Sequence, residues 1–210
     1  MRTRSCTNSP QLQWVRALES CVSLGKCMNL VTAIEDLLAQ PARCGRTHVI
    51  AIDGRAGAGK TTLANELALA LSLRWEVDVI HLDEIYAGWE LALTQTLTDS
   101  LSYIVNSIAA GKTAMVPLYN WRFAEFDSPR AISPCDLIIF EGVGSGQRVV
   151  REMATTTIWI DIDPKVGLKR VLDRDGVAIE EQMRHWQVRE EAHFLSEQTR
   201  ENADFILSTP

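Results

Sequence analysis

Gly54-Arg55-Ala56-Gly57-Ala58-Gly59-Lys60-Thr61 is the stretch whose reading decides the fold of this chain. It fits the pattern G-x-x-x-x-G-K-[ST] and follows the apolar run His48-Val-Ile-Ala-Ile52. Glycines let a backbone curl until consecutive N–H groups point inward at phosphate oxygens, and a helix opening near Lys60 adds the positive end of its dipole. In this pattern the Lys60 ammonium reaches the β- and γ-phosphates and the Thr61 hydroxyl is offered to Mg²⁺. Residues 61–71, Thr-Thr-Leu-Ala-Asn-Glu-Leu-Ala-Leu-Ala-Leu, contain no proline, so a helix can follow at once. The expectation is a bound nucleoside triphosphate, contacted by the octapeptide and by Thr62 beside it.

Outward from this loop, short apolar β-rich runs alternate with helical stretches. The pattern predicts strands at 48–53, 77–82, 113–118, 136–141, 156–162 and 205–208, and helices near 60–73, 90–110, 164–174 and 178–200. The strands are near-continuous apolar runs, as expected where helices cover both faces of a parallel sheet. The architecture expected is therefore α/β, a doubly wound parallel sheet with the phosphate loop after its first strand. Upstream, Asn29 reads as the N-cap of a helix over 30–40 that Pro41 and Gly45 end. Residues 1–28 read as an N-terminal extension, polar over Arg2–Pro10 with a short helix over 11–24, and residues 29–210 as one domain.

Composition narrows the class of partner. A chain of 210 residues has room for one domain with a sizeable core. Its net charge of −6 argues against a nucleic-acid partner, which usually requires a basic face. No apolar run reaches the length that spans a bilayer, and the N-terminus lacks a signal-peptide core. The five cysteines, Cys6, Cys21, Cys27, Cys44 and Cys135, are scattered without a C-x-x-C, which fits free thiols in a reducing cytoplasm.

Further chemistry is expected where strands end, because ligands of open α/β sheets bind at the carboxyl edge. Asp83 closes Val77-Asp-Val-Ile-His-Leu-Asp83 and is placed to take a proton from an attacking hydroxyl or to hold Mg²⁺ through water; Glu84, directly after it, competes for the same role. Glu141 ends Cys135-Asp-Leu-Ile-Ile-Phe-Glu141, the slot of a metal-positioning acid, and the glycine-rich Gly142–Gly146 follows. Asp163 and Pro164 mark a helix start, and one turn of that helix separates Arg170 from Arg174, two cations able to close over a transferred phosphate. Between the third and fourth strands, Pro117-Leu-Tyr-Asn-Trp-Arg-Phe-Ala-Glu-Phe126 is dense in aromatics, so Tyr119, Trp121 and Arg122 read as a pocket wall, with Tyr86 and Trp89 contributing. Trp75 and Trp159 read as core. His48, His81, His185 and His193 show no ligand spacing and read as structural or surface residues.

Taken as an ordered series, these pieces resemble the uridine kinase-like branch of P-loop nucleoside kinases. The matching segments are residues 52–61, His81-Leu-Asp-Glu-Ile-Tyr86, Pro117-Leu-Tyr-Asn-Trp121, Ile139-Phe-Glu-Gly142, Trp159-Ile-Asp-Ile-Asp163, Arg170 with Arg174, and Asn202-Ala-Asp-Phe-Ile206. The resemblance implies transfer of the ATP γ-phosphate, with Mg²⁺, to a hydroxyl of a small molecule. It implies Asp83 as base, Tyr86 and Tyr119 facing the acceptor, and Arg170 and Arg174 in a lid. The chain departs from the family pattern in that Glu84 to Pro117 is short, and Asn120-Trp-Arg-Phe123 replaces an aspartate. The acceptor expected is thus a nucleoside or a related hydroxyl-bearing metabolite. The rival reading is a P-loop NTPase that works as a switch on a protein partner; no guanine-reading Asn/Thr-Lys-x-Asp motif supports it.

Overall fold

β1 (His48–Gly54) is buried along its whole length because it runs through the middle of the sheet. The computed structural model describes residues 24–209. In it, β1, β2 (Val77–His81), β5 (Leu137–Glu141), β6 (Thr156–Asp161) and β7 (Phe205–Ser208) form one parallel sheet in the order β2-β5-β1-β6-β7. Alternation along the strands divides the core in two. Val49, Ala51, Ile138 and Phe140 point to one face, and Ile50, Ile52, Leu137 and Ile139 to the other.

Each face is closed by helices whose apolar residues recur at helical spacing. On the second face lie α1 (Leu24–Leu38), through Leu30, Ile34 and Leu38, and α2 (Lys60–Leu71), through Leu63, Leu67 and Leu71. The first face is covered by α4 (Gln95–Ala109) through Leu97, Leu101, Ile104 and Ile108, and by α7 (Glu180–Glu197) through Met183, Trp186 and Phe194. Burying each such side chain contributes about 1.5–3 kcal/mol before entropy is counted. Among the described residues, no helix is long and apolar enough to cross a membrane.

The doubly wound parallel sheet is as expected, and three local readings differ from the structure. The helix anticipated over 90–110 is two pieces, α3 (Gly88–Leu91) and α4, because Thr94 is extended and its hydroxyl donates to the Leu91 carbonyl at 2.8 Å. The strand anticipated at 113–118 is β3 (Ala114–Asn120), and it stands outside the main sheet. It pairs antiparallel with β4 (Glu125–Ile132), a strand with no apolar pattern to announce it because nearly every residue of it is exposed. Asn29 lies inside α1 instead of capping it. The helix anticipated over 11–24 falls, up to residue 23, outside the described residues.

After α5 (Arg148–Arg151) and β6, α6 (Pro164–Asp175) starts at Asp163, whose carboxylate accepts the N–H groups of Lys165 and Val166 at 2.8 and 3.3 Å. The helix then leans on the phosphate loop, backbone against backbone. A Cβ on Gly167 would stand 2.6 Å from the Ala56 carbonyl oxygen, and one on Gly57 would stand 2.3 Å from that of Gly167. Gly167→Ala therefore has to push α6 off the loop. The expected outcome is a loss of about 1–3 kcal/mol in urea unfolding, with weaker Mg-ATP binding by calorimetry. Unchanged stability and affinity would show that the contact is slack.

Candidate active site

The strand register assembles the carboxyl edge of the sheet. Glu141 is paired across β5 with Ile52 on one side and His81 on the other, so the phosphate loop, Glu141 and the end of β2 lie side by side. Gly59, the residue before α2, has φ +93°, and a Cβ there would meet nothing within 4 Å. That position needs glycine for its backbone angle, and the space above it is cleft.

Within the loop, the buried Lys60 ammonium donates to the carbonyls of Gly54 (2.8 Å) and Arg55 (2.9 Å). The Thr61 hydroxyl donates to the Glu141 carboxylate, at 3.1 and 3.2 Å from its two oxygens. His81 Nδ1 lies 2.5 Å from Glu141 Oε1. A hydroxyl and a carboxylate beside a phosphate loop are the hard oxygen donors that suit Mg²⁺, which takes one or two protein ligands and completes its shell with phosphate and water. Among the described residues no group of three or more His, Cys, Asp and Glu side chains could hold a metal ion by itself.

Asp83 sits on the single 3₁₀ turn Leu82–Glu84 that follows β2, and its carboxylate opens into the cleft. The surrounding cleft walls desolvate it and raise its pKa above the ordinary carboxylate value. Lys60 opposes that, Glu141 adds to it, and Arg174 and His81 oppose it further. Glu84 turns the other way, 3.7 Å from Arg130 of β4. The structure thus separates two neighbouring acids that sequence left equivalent.

The cleft holds about 430 Å³. Lys60, Thr61, Thr62, Arg170 and Arg174 line one part of it. Arg174 is held by Asp175 through two hydrogen bonds of 2.7 and 2.6 Å, and Arg170 Nη1 is 3.4 Å from the Gly57 carbonyl. The rest of the wall is aromatic: Tyr86, Trp89, Trp121 and Trp186. Trp121 swings in from the β3–β4 turn and donates its indole N–H to the Asp83 carbonyl at 2.7 Å. Tyr119 and Arg122 are not brought to the cleft. Tyr119 stands behind Trp121 at a centroid distance of 5.2 Å and also meets Phe126, while the exposed Arg122 lies over Phe123.

Several site-shaping residues were not identified from sequence. Asp53 is buried and accepts the N–H groups of Gly54 (2.7 Å), Gly144 (3.0 Å) and Gly146 (2.9 Å), tying the loop to the glycine-rich turn after β5. Burial pushes its pKa up, against the pull of those N–H groups, Lys60 and His193. Glu190 of α7, fully buried, accepts the Ala56 N–H at 3.0 Å, the Trp186 indole N–H at 3.1 Å and the Arg55 guanidinium at 3.3 Å. Burial raises its pKa too, opposed by the Ala56 N–H, Lys60 and Arg55. One sequence signal pointed to it: Met183, Trp186, Glu190 and Phe194 form a single helical stripe, and a carboxylate on an apolar stripe demands a partner. His81 and Trp186 carried no comparable sign.

Comparison with known proteins agrees with this geometry. The Phosphoribulokinase / Uridine kinase family matches residues 91–208. Uridine kinases of Staphylococcus aureus are 28% identical over 145 residues, covering 61% of this chain and 69% of theirs. Among solved structures, a "Possible Uridine Kinase" from Bacillus stearothermophilus superimposes with a TM-score of 0.61 at 22% identity, over 87% of this chain and 97% of that one. D-glycerate 3-kinase from Cryptococcus neoformans does so with a TM-score of 0.55 at 14% identity, over 87% and 95%. At those identities the structural likeness speaks for the fold, a P-loop kinase fold, and the sequence match carries the family. This chain belongs to the Phosphoribulokinase / Uridine kinase family and is a phosphotransferase acting on an alcohol group.

Proposed function

We propose that the protein transfers the γ-phosphate of Mg-ATP to a hydroxyl of a small metabolite, a nucleoside or a related compound, with Asp83 as the base. The observation that carries this reading is one cleft lined by the loop lysine, a carboxylate of raised pKa, two helix-borne arginines and an aromatic wall. Phosphoryl transfer asks little covalent chemistry of a protein, so positioning and charge neutralisation supply most of the rate.

In the proposed reaction the loop N–H groups and Lys60 hold the β- and γ-phosphates. Thr61 and Glu141 hold Mg²⁺, which when bound neutralises phosphate charge. The acceptor oxygen forms its bond to the γ-phosphorus as the bond to the ADP oxygen breaks, and the hydroxyl proton passes to Asp83. Arg170 and Arg174 face the charge that spreads over the transferred group. Tyr86 and Trp121 are proposed to touch the acceptor; Tyr119 and Arg122, outside the cleft, are left to support Trp121 and the hairpin turn. The partner is taken to be a small molecule and not nucleic acid, in keeping with a net charge of −6, and the compartment the cytoplasm.

Asp83→Asn tests the base directly. Acceptor-dependent ADP release is expected to fall on the order of 10²- to 10⁴-fold, while calorimetry shows Mg-ATP affinity little changed. A variant that turned over at the parental rate would remove Asp83 from the mechanism. The pH dependence has a definite sign. The base works deprotonated, and desolvation by the cleft walls lifts its pKa above the reference value of 3.8. The rate should therefore climb with pH through an inflection above that value, and the Asn variant should lack that limb. Glu190→Ala strands the Ala56 and Trp186 N–H groups and leaves Arg55 with Glu191 as its one carboxylate partner among the described residues, at an expected cost of about 3 kcal/mol in chemical unfolding. Glu190→Gln, which keeps one accepting oxygen, should cost less.

A further inference from the structure

The aromatic end of the cleft has spent nearly all its polar handles on the protein itself. Trp121 gives its indole N–H to the Asp83 carbonyl at 2.7 Å. Trp186 gives its own to the buried Glu190 at 3.1 Å. Tyr86 donates its O–H to the Val143 carbonyl at 2.7 Å. These rings form a connected rim: Tyr86 to Trp186 at 5.5 Å, Trp186 to Trp89 at 5.9 Å and Trp89 to Trp121 at 5.3 Å, all inclined by more than 50°. Between them Met183 and Val143 add only apolar surface.

The other carboxylates of the cleft also have partners within the protein. Glu141 takes Thr61 and His81, and Asp175 takes Arg174. Asp83 is the cleft carboxylate whose own oxygens carry no hydrogen bond among the described residues, and as the base it is taken up by the reacting hydroxyl. A site that selects a sugar diol or a carboxylic acid must present donors and acceptors to it, and rejects analogues lacking those groups because its own polar atoms are then left unpaired. Of the donors on this wall, the Trp89 indole N–H is the one with no acceptor among the described residues, and the guanidinium groups of Arg170 and Arg174 line the phosphate-loop part of the cleft, away from the rings.

We infer that the acceptor is selected by stacking of a flat, uncharged aromatic ring that bears a single reacting hydroxyl, with no recognition of a vicinal diol or of a carboxylate. The inference rests on the kinase reading above for which hydroxyl reacts, and stands apart from it for which ligand binds. Base-on-ring stacking typically contributes about 1–3 kcal/mol per ring, and the wall offers little else.

Two readouts test it: quenching of tryptophan fluorescence without ATP, and acceptor-dependent ADP release with Mg-ATP. The probes are uridine, 2′,3′-dideoxyuridine, benzyl alcohol, D-ribose and D-glycerate. The ring compounds are expected to bind, with the dideoxynucleoside within about threefold of uridine, whereas a diol-reading site would lose on the order of a hundredfold or more. Ribose and glycerate should neither quench nor be phosphorylated. Trp121→Ala, a change at an exposed turn, should weaken the ring probes about tenfold, and Trp89→Leu serves as a second variant if the first is poorly folded. A large loss on removing the diol, binding of ribose or glycerate, no binding of any ring probe, or an unmoved Trp121→Ala would each overturn the inference. Ring probes that bind and are never phosphorylated would uphold it and count against the kinase reading; turnover of glycerate alone would do the reverse.

Discussion

Asp53 places a carboxylate in the dry interior directly before the phosphate loop, and both of its oxygens take N–H groups from turns at the carboxyl edge. An unsatisfied carboxylate there would cost several kcal/mol, so the chain near it has very little freedom. Gly54 must turn at once, and Gly144 and Gly146 must bring their N–H groups inward. The turn after β5 is thereby fixed against the end of β1, which sets Glu141 beside Thr61. Glu141, Thr61 and the loop share one frame because one buried acid serves both sides of it.

Glu190 does from the helical side what Asp53 does from the sheet. Its oxygens reach the Ala56 N–H, the Arg55 guanidinium and the Trp186 indole, so the loop and the aromatic wall are anchored to the same group. Two acids so close to an anion site look unfavourable. Both, however, accept N–H groups that are directed away from the cleft, and Lys60 lies near enough to offset each of them.

What could be read from sequence was what is local. The strand, loop and helix from His48 to Leu71 follow from glycine spacing and an apolar run, and Asp83 and Glu141 from their positions at strand ends. The hairpin was not legible, because β4 buries little besides Ile132 and so leaves no alternation to detect. Aromatic density around residues 117–126 suggested a wall, yet it could not say which ring faces inward. The turn there, with Ala124 at φ +53°, brings Trp121 to the cleft and leaves Tyr119 behind it. Contacts such as Glu190 with Ala56 join residues more than a hundred positions apart, and no local pattern encodes the partner.

Arg55 shows why position within a motif does not assign a side chain. It lies in the phosphate loop, and its charge suggests a phosphate contact. The guanidinium instead pairs with Glu190 and Glu191 and lies over the Phe194 ring at 5.7 Å. Swinging it inward would leave the buried Glu190 charge short of its partner, a cost that a solvent-screened contact to phosphate would not repay. Arg55 therefore serves the site through its backbone and through the α7 anchor. The cations that line the cleft are Lys60 and the arginines of α6, a helix that meets the loop backbone to backbone at Ala56, Gly57 and Gly167.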